Sequence, residues 1–187
     1  MLAFLFTEHS SIVSLFDISS EHVSAAQNLL SNSPSHADKV RTFDQHSLRS
    51  FISSLGSDEN PRLFVLSVPH GVLADHAIDS LKQHLRKGDI ILDGRNEHYR
   101  ETERRQQELG KIGVKLIGCG VSGGYQSARH GPSLSPGGDH KTLEKILPQL
   151  REWAAKDQHG NPCVTAVGPW GSGQFHQFPA FLELIES

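Results

Sequence analysis

Three short apolar runs constrain this chain most: residues 62–68, 89–93 and 114–118. The first two are each followed by a helical stretch, residues 72–86 and the charged, exposed residues 99–111. Runs of this length and near-continuous apolarity fit strands covered on both faces. Parallel neighbours need a crossover, usually a helix, so strand–helix alternation points to a mostly parallel α/β sheet. Residues 11–16 form a further strand candidate, and residues 20–31 and 47–55 are helices around a polar loop at 31–35. Residues 141–155 form another helix, 163–167 a last short strand, and 178–185 the start of a terminal helix. Residues 120–138 are rich in Gly, Ser and Pro and lack periodicity, which predicts a long functional loop.

Ligands in such sheets bind at the carboxyl ends of the strands. The loops of interest are therefore 17–20, 68–71, 94–99 and 118–138. The last contains Gly118-Cys-Gly120-Val-Ser-Gly123, a match to G-x-G-x-x-G after a strand. A pyrophosphate turn also needs a helix at the third glycine and an acid about 20 residues further on. Residues 124–132 are a poor helix former, and that acid-bearing strand is lacking. The glycines serve a small acid better. Ser122, Gly123 and Gly124 offer a hydroxyl and several unobstructed backbone N–H groups. A structural turn without a ligand is the alternative.

Composition narrows the partners. The net charge of -3 gives no basic footprint for nucleic acid. No apolar run approaches the roughly 20 residues that span a bilayer, and the start lacks the pattern of a secretory signal. Two cysteines, Cys119 and Cys163, do not make a disulfide scaffold, so a reducing cytoplasmic setting is expected. The 12 histidines show no metal-ligand spacing, and no metal site is expected.

Residues 87–105 resemble the KGDIIIDGGNSxYxDTxRR segment of 6-phosphogluconate dehydrogenases. Residues 118–138 resemble that family's GSGVSGGxxGARxGPSLMPGG, and residues 167–175 its VGxxGAGHF. The resemblance runs from about Leu2 to Ser187, weakly before Leu63. It implies a doubly wound, Rossmann-like sheet, an incomplete nucleotide and substrate domain over residues 1–175, and over 176–187 the remnant of a helix leading to a helical domain. It also implies NADP-dependent oxidative decarboxylation of 6-phosphogluconate to ribulose 5-phosphate in the pentose phosphate pathway. Asn96 matches an asparagine that touches substrate and nicotinamide. Ser122, Gly123 and Gly124 match the substrate loop, and Val68 and Gly71 the turn lining the cofactor. Asn96 also reads as a turn residue suited to left-handed backbone.

The departures matter as much. The family's first strand and its pyrophosphate turn have no counterpart, and the helical domain that holds the substrate phosphate is missing. Met1 to Phe6 align with the remnant of the first family helix, with a substitute strand as the alternative. Asp17-Ile18-Ser19 stand where the family has Asn-Arg-Thr. Ile18 cannot hold a 2′-phosphate, while Asp17 suits a ribose 2′-OH and so NAD, or else caps the next helix. Gln177 and Leu184 occupy the places of the general base and general acid, and Ala180 and Phe181 those of a His-Asn pair. Neither His176 nor Glu183 is an easy stand-in, because a one-residue shift turns a helical side chain by about 100°. Losing general acid–base help commonly costs 10²–10⁴-fold, so weak or no activity is expected: a pseudoenzyme. Only Arg95, Arg129 and His130 remain as partners for a substrate phosphate. A binding module for a sugar acid, a module pairing with itself or with a full-length relative, and a start downstream of the true one are the open alternatives.

Overall fold

The computed structural model describes residues 2–9, 11–56, 61–69 and 71–174. The chain divides into two compact units, Met1–Asn60 with Ala128–His130, and Pro61–Ser127 with Gly131–Ser187. The sequence draws no boundary within residues 1–175.

In the first unit, β1 (Val13–Phe16) and β2 (Val40–Phe43) pair in parallel. Around them lie α1 (Leu2–Glu8), α2 (Ser20–Ser31), α3 (Pro34–Ala37) and α4 (Leu48–Ser54). Leu5, Val23, Val40 and Phe51 form the buried core, and the Phe51 ring meets those of Phe16 and Phe43 at 5.2 and 5.8 Å. Residues 2–8 are helical, as the helix-remnant alignment implies, and they form no substitute strand. The helix expected at 20–31 is present, with Ser19 Oγ accepting from His22 N–H at its start. Two elements of this unit, besides a 3-10 turn at Gln45–Ser47, escape the sequence reading. The strand β2 buries only Val40 among polar neighbours, so it carries no alternating signal. The helix α3 is one turn started by Pro34; it begins within the stretch expected to be a loop and runs two residues past it.

In the second unit, β3 (Leu63–Leu66), β4 (Ile90–Asp93) and β5 (Lys115–Ser122) run parallel, and β6 (Ser133–Gly137) is antiparallel to β5. The order is β3-β4-β5-β6. The crossovers are α5 (Val72–Lys82) and α6 (Tyr99–Gly110); α7 (Gly124–His130), whose residues 128–130 group with the first unit, and α8 (His140–Trp153) follow later. Strand β4 has a neighbour on each side and is buried throughout. Strand β3 ends its sheet and alternates between half-buried and buried, so the expectation of cover on both faces holds for β4 and not for β3. Ile91, Val114, Ile117 and Leu150 are fully buried and make the core.

The segment expected to be a long loop instead holds the end of β5, α7 and β6. Its small residues are there because backbones approach closely. A Cβ on Gly137 would lie 2.4 Å from Gly173 N. Pro136 is tolerated in β6, which ends the named sheet. Residues 163–167 do not form the expected strand. They follow β6 through isolated parallel bridges, Leu134 to Val164 and Gly137 to Gly168, and a one-residue slip between the bridges breaks the ladder. The helix expected at 178–185 lies outside the described residues.

Candidate functional site

The parallel register brings three loops to one edge of the second unit's sheet. Leu66, Asp93 and Gly118 lie in one row across β3, β4 and β5. Val68 lies two residues beyond that row on its strand, Asn96 three and Ser122 four. A Cβ on Gly94 would sit 3.1 Å from Val121 Cγ2, so the loop after β4 lies against the end of β5. Asn96 and Ser122 are exposed, and Val68 and Gly71 are half-buried. The sequence-chosen residues of this unit thus share one edge. Asp17 lies at the end of β1 in the first unit.

Gly118 and Gly120 are ladder residues, opposite Gly137 and Ser135 of β6. Their backbone groups are committed to a sheet, and they do not form a phosphate turn. A helix does follow the third glycine, against the expectation from composition. It has seven residues and is bounded by Gly123 at φ 127° and Gly131 at φ 108°, backbone that other residues rarely adopt. Ser127 Oγ donates to Gly123 O at 2.9 Å, and a Cβ on Gly123 would collide with that hydroxyl.

The side chains beneath Asn96 form a network of ions. Arg95 folds back on Asp93, with Nε to Oδ1 at 2.8 Å and Nη2 to Oδ2 at 2.7 Å. Its Nη1 donates to Pro69 O at 3.4 Å and lies 3.5 Å from Glu97 Oε2. Glu97 Oε2 accepts from Arg105 Nη1 at 2.9 Å and from Gly71 N–H at 3.3 Å. Arg105 grips Asp75 of α5 with Nε to Oδ1 at 2.9 Å and Nη2 to Oδ2 at 3.1 Å. Arg104 Nη2 also reaches Asp75, at 2.8 Å.

These contacts shift the carboxyls. The hydrogen bond from Arg105, followed by that from Arg104, holds Asp75 far below the usual carboxylate range. Burial pushes Glu97 up, but hydrogen bonds from Arg105, His98 N–H and Gly71 N–H outweigh it and leave the group lowered. Sequence reasoning missed Glu97, Asp75 and Arg105. Their signal was the replacement of the serine in the resembled GGNS segment by Glu97, beside Arg95 in place of a glycine.

The cations expected to meet a substrate phosphate are engaged. Arg95 is 5% exposed and bound to Asp93. Arg129 pairs with Glu8, at 2.9 and 2.6 Å. His130 is exposed at the end of α7.

Asp17 Oδ1 accepts from Ser19 N–H at 2.8 Å, and Oδ2 lies 3.2 Å from His22 Nδ1. Ser19 is the helix cap, so Asp17 is not. A carboxylate has about four acceptor sites, so Asp17 keeps capacity for a ribose hydroxyl. Among the described residues, no group of three or more His, Cys, Asp or Glu converges as metal ligands. Nor is any described helix long and apolar enough to cross a membrane. A cleft of about 750 Å³ opens near the start of β5, lined by Gln106, Lys115, Asp139, His140 and Trp170 among others; none of the predicted site residues lines it. The positions of Gln177 and Leu184 lie outside the described residues.

Comparison with known proteins gives a consistent picture. The NAD binding domain of 6-phosphogluconate dehydrogenase matches residues 2–168. A decarboxylating 6-phosphogluconate dehydrogenase of Emericella nidulans is 47% identical over 176 residues, 94% of this chain and 35% of that protein. The structure of Plasmodium falciparum 6-phosphogluconate dehydrogenase, described with its cofactor NADP+ and its substrate 6-phosphogluconate, superposes with a TM-score of 0.81 at 28% identity, over 93% of this chain and 35% of that one. Mycobacterium tuberculosis 3-hydroxyisobutyrate dehydrogenase, at 18% identity and a TM-score of 0.74 over 98% of this chain and 55% of that one, shares the fold. The chain spans about a third of the length of the 6-phosphogluconate dehydrogenases it matches.

Proposed function

The chain belongs to the 6-phosphogluconate dehydrogenase family, by its Rossmann-like NAD(P)-binding domain, and from that premise we propose that it holds a nucleotide and a sugar acid without turning them over at enzymatic rates. One observation carries the binding half. The 68–71 turn and the Asn96 turn leave adjacent parallel strands and are joined by the hydrogen bond from Gly71 N–H to Glu97. In this reading Val68 and Gly71 line the nicotinamide end, Asn96 contacts both ligands, and Ser122, Gly123 and Gly124 wrap the carboxylate and hydroxyls of the acid. Asp17 receives the adenosine ribose, with NAD preferred to NADP.

The catalytic half rests on chemistry. Oxidation of a hydroxyl needs a base for its proton, and protonation after decarboxylation needs an acid. Glutamine at 177 can neither take nor give that proton, and leucine at 184 cannot replace a carboxylic acid. Free thiols at Cys119 and Cys163 fit a reducing cytoplasmic setting.

Calorimetry of the purified chain with 6-phosphogluconate, NAD+ and NADP+, beside an assay of reduced nucleotide, tests both halves. Binding heat without turnover is expected. Absence of heat with every ligand removes the binding half, and turnover in the usual enzyme range of about 1–10³ s⁻¹ removes the other. A second reading, a module that associates with itself or with a full-length relative, is favoured by β3 ending its sheet with Leu63 and Val65 half-buried. Failure to co-purify with itself or with such a relative counts against it.

A further inference from the structure

We propose that Glu97 is a positioning residue that fixes the 68–71 turn against the turn carrying Asn96, so that both ligands meet a pre-formed pair of loops. The inference deepens the binding reading above and rests on it.

The geometry is a closed circuit. Glu97 accepts from Gly71 N–H at the start of α5 and from Arg105 of α6. Arg105 returns to α5 through both oxygens of Asp75, in its first turn. Arg95 adds a second tie between the same turns, reaching Pro69 O at 3.4 Å while anchored to Asp93. Glu97 Oε1 accepts from His98 N–H at 3.1 Å, so both carboxylate oxygens are engaged. The Glu97, Arg95 and Arg105 side chains are 7%, 3% and 2% exposed, so this is a dry site where such bonds are strong. Asn96 stands exposed between Arg95 and Glu97.

Gly71 shows why a tie is needed. Its backbone at φ 87° and ψ -147° is open in practice to glycine alone, and α5 has no side-chain cap from Gly71 itself. Free glycine turns sample many conformations, and fixing one costs entropy at binding unless it is already fixed. The carboxylate from the neighbouring turn supplies the missing cap and suits the positive end of α5. The resembled segment has glycine and serine where this chain has Arg95 and Glu97. A serine side chain is two bonds shorter and uncharged, so the clasp is a property of this pair. Each buried charge also has a partner of its own, Asp93 for Arg95 and Arg105 for Glu97, so neither is left uncompensated.

The test compares the unmodified chain with Glu97→Ala and Glu97→Gln. Amide hydrogen exchange is read at Gly71, with Ile91 and Ile117 as reporters of global opening, and affinities for NAD+ and 6-phosphogluconate are measured in parallel. Exchange at Gly71 is expected to accelerate by about tenfold or more in Glu97→Ala, with Ile91 and Ile117 changing less. Glu97→Gln keeps the shape and loses the charge, so it should fall between, and both affinities should weaken in the same order. Unchanged exchange at Gly71, or acceleration equal to that of Ile91 and Ile117, overturns the proposal. So does faster Gly71 exchange with undiminished affinity. If the unmodified chain binds neither ligand, the binding reading fails, and with it the role in ligand capture, while the exchange data still report whether the clasp exists.

Discussion

Gly173 lies so close to Gly118 that a Cβ on Gly173 would stand 2.1 Å from the Gly118 carbonyl oxygen. The same Cβ would stand 2.6 Å from Ser135 O, and one on Gly118 would meet Thr102 Cγ2 at 2.7 Å. The first glycine of the apparent dinucleotide motif is thus a packing residue. Its missing side chain makes room for Thr102 of α6 and for the Gln174 side chain. Gly173→Ala should destabilise the chain by about 3 kcal/mol or more, the severe end of overpacking, because the atoms it meets are backbone. Gly124→Ala has open space and only an unfavourable φ of 68° against it, so it should cost about 1–2 kcal/mol. Urea unfolding midpoints of the two variants check the order, and equal midpoints would refute it.

Acid should unfold the chain through its paired carboxyls. Burial raises Asp89, but bonds from Arg62 and Arg86 leave it lowered; Asp75 and Glu97 are lowered as well. A lowered folded value means that the contribution is complete above the unfolded value of about 4 and drains away as pH falls through the folded value. The urea midpoint should therefore hold from pH 8 to about 5 and fall below about 4. A midpoint that rises on acidification would contradict this.

Asp89 itself is fully buried, with Arg62 Nη2 at 2.5 Å and Nε at 3.1 Å. Asp89→Asn leaves a buried guanidinium without its counter-charge and should cost about 3–5 kcal/mol. It should also flatten the acid dependence. Thermal and urea unfolding measure both, and a cost below about 1 kcal/mol would mean that water reaches Arg62.

The thiols should separate cleanly. Burial pushes Cys119 up to about 12, whereas Cys163 is half-buried. A thiol reagent at pH 8 should titrate Cys163 in the native chain and reach Cys119 only in denaturant. Native reactivity of both thiols would show that the sheet interior opens.

Nucleotide preference tests Asp17. A carboxylate at the end of β1 should favour NAD+ over NADP+, by about tenfold for one lost hydrogen bond and one repelled phosphate. Asp17→Asn should narrow the ratio by relieving the repulsion. Tighter binding of NADP+ by the unmodified chain would exclude the assignment.

Much of the fold is legible along the chain because apolar runs and helical periods are local. The helix at 20–31 and the strands ending at Phe16, Leu66 and Asp93 follow from residues within reach of one another. The candidate loops follow from the rule that parallel strands expose their carboxyl ends together. Residues 120–138 read as a loop because their strand is built of small residues, and smallness is dictated by Gly173 and Ser172, about 35 residues away. Arg95 reads as a free cation for a phosphate, although the side chains around it consume its charge. The sequence by itself determined the α/β class, the family and the loops gathered at one edge of the sheet, since these depend on period and on long motifs. Only the tertiary structure decided that the glycine motif is a packing ladder and that Glu97 clasps Gly71 to Arg105. Close backbone approach and burial of charge are relations between distant residues, and no local pattern encodes them.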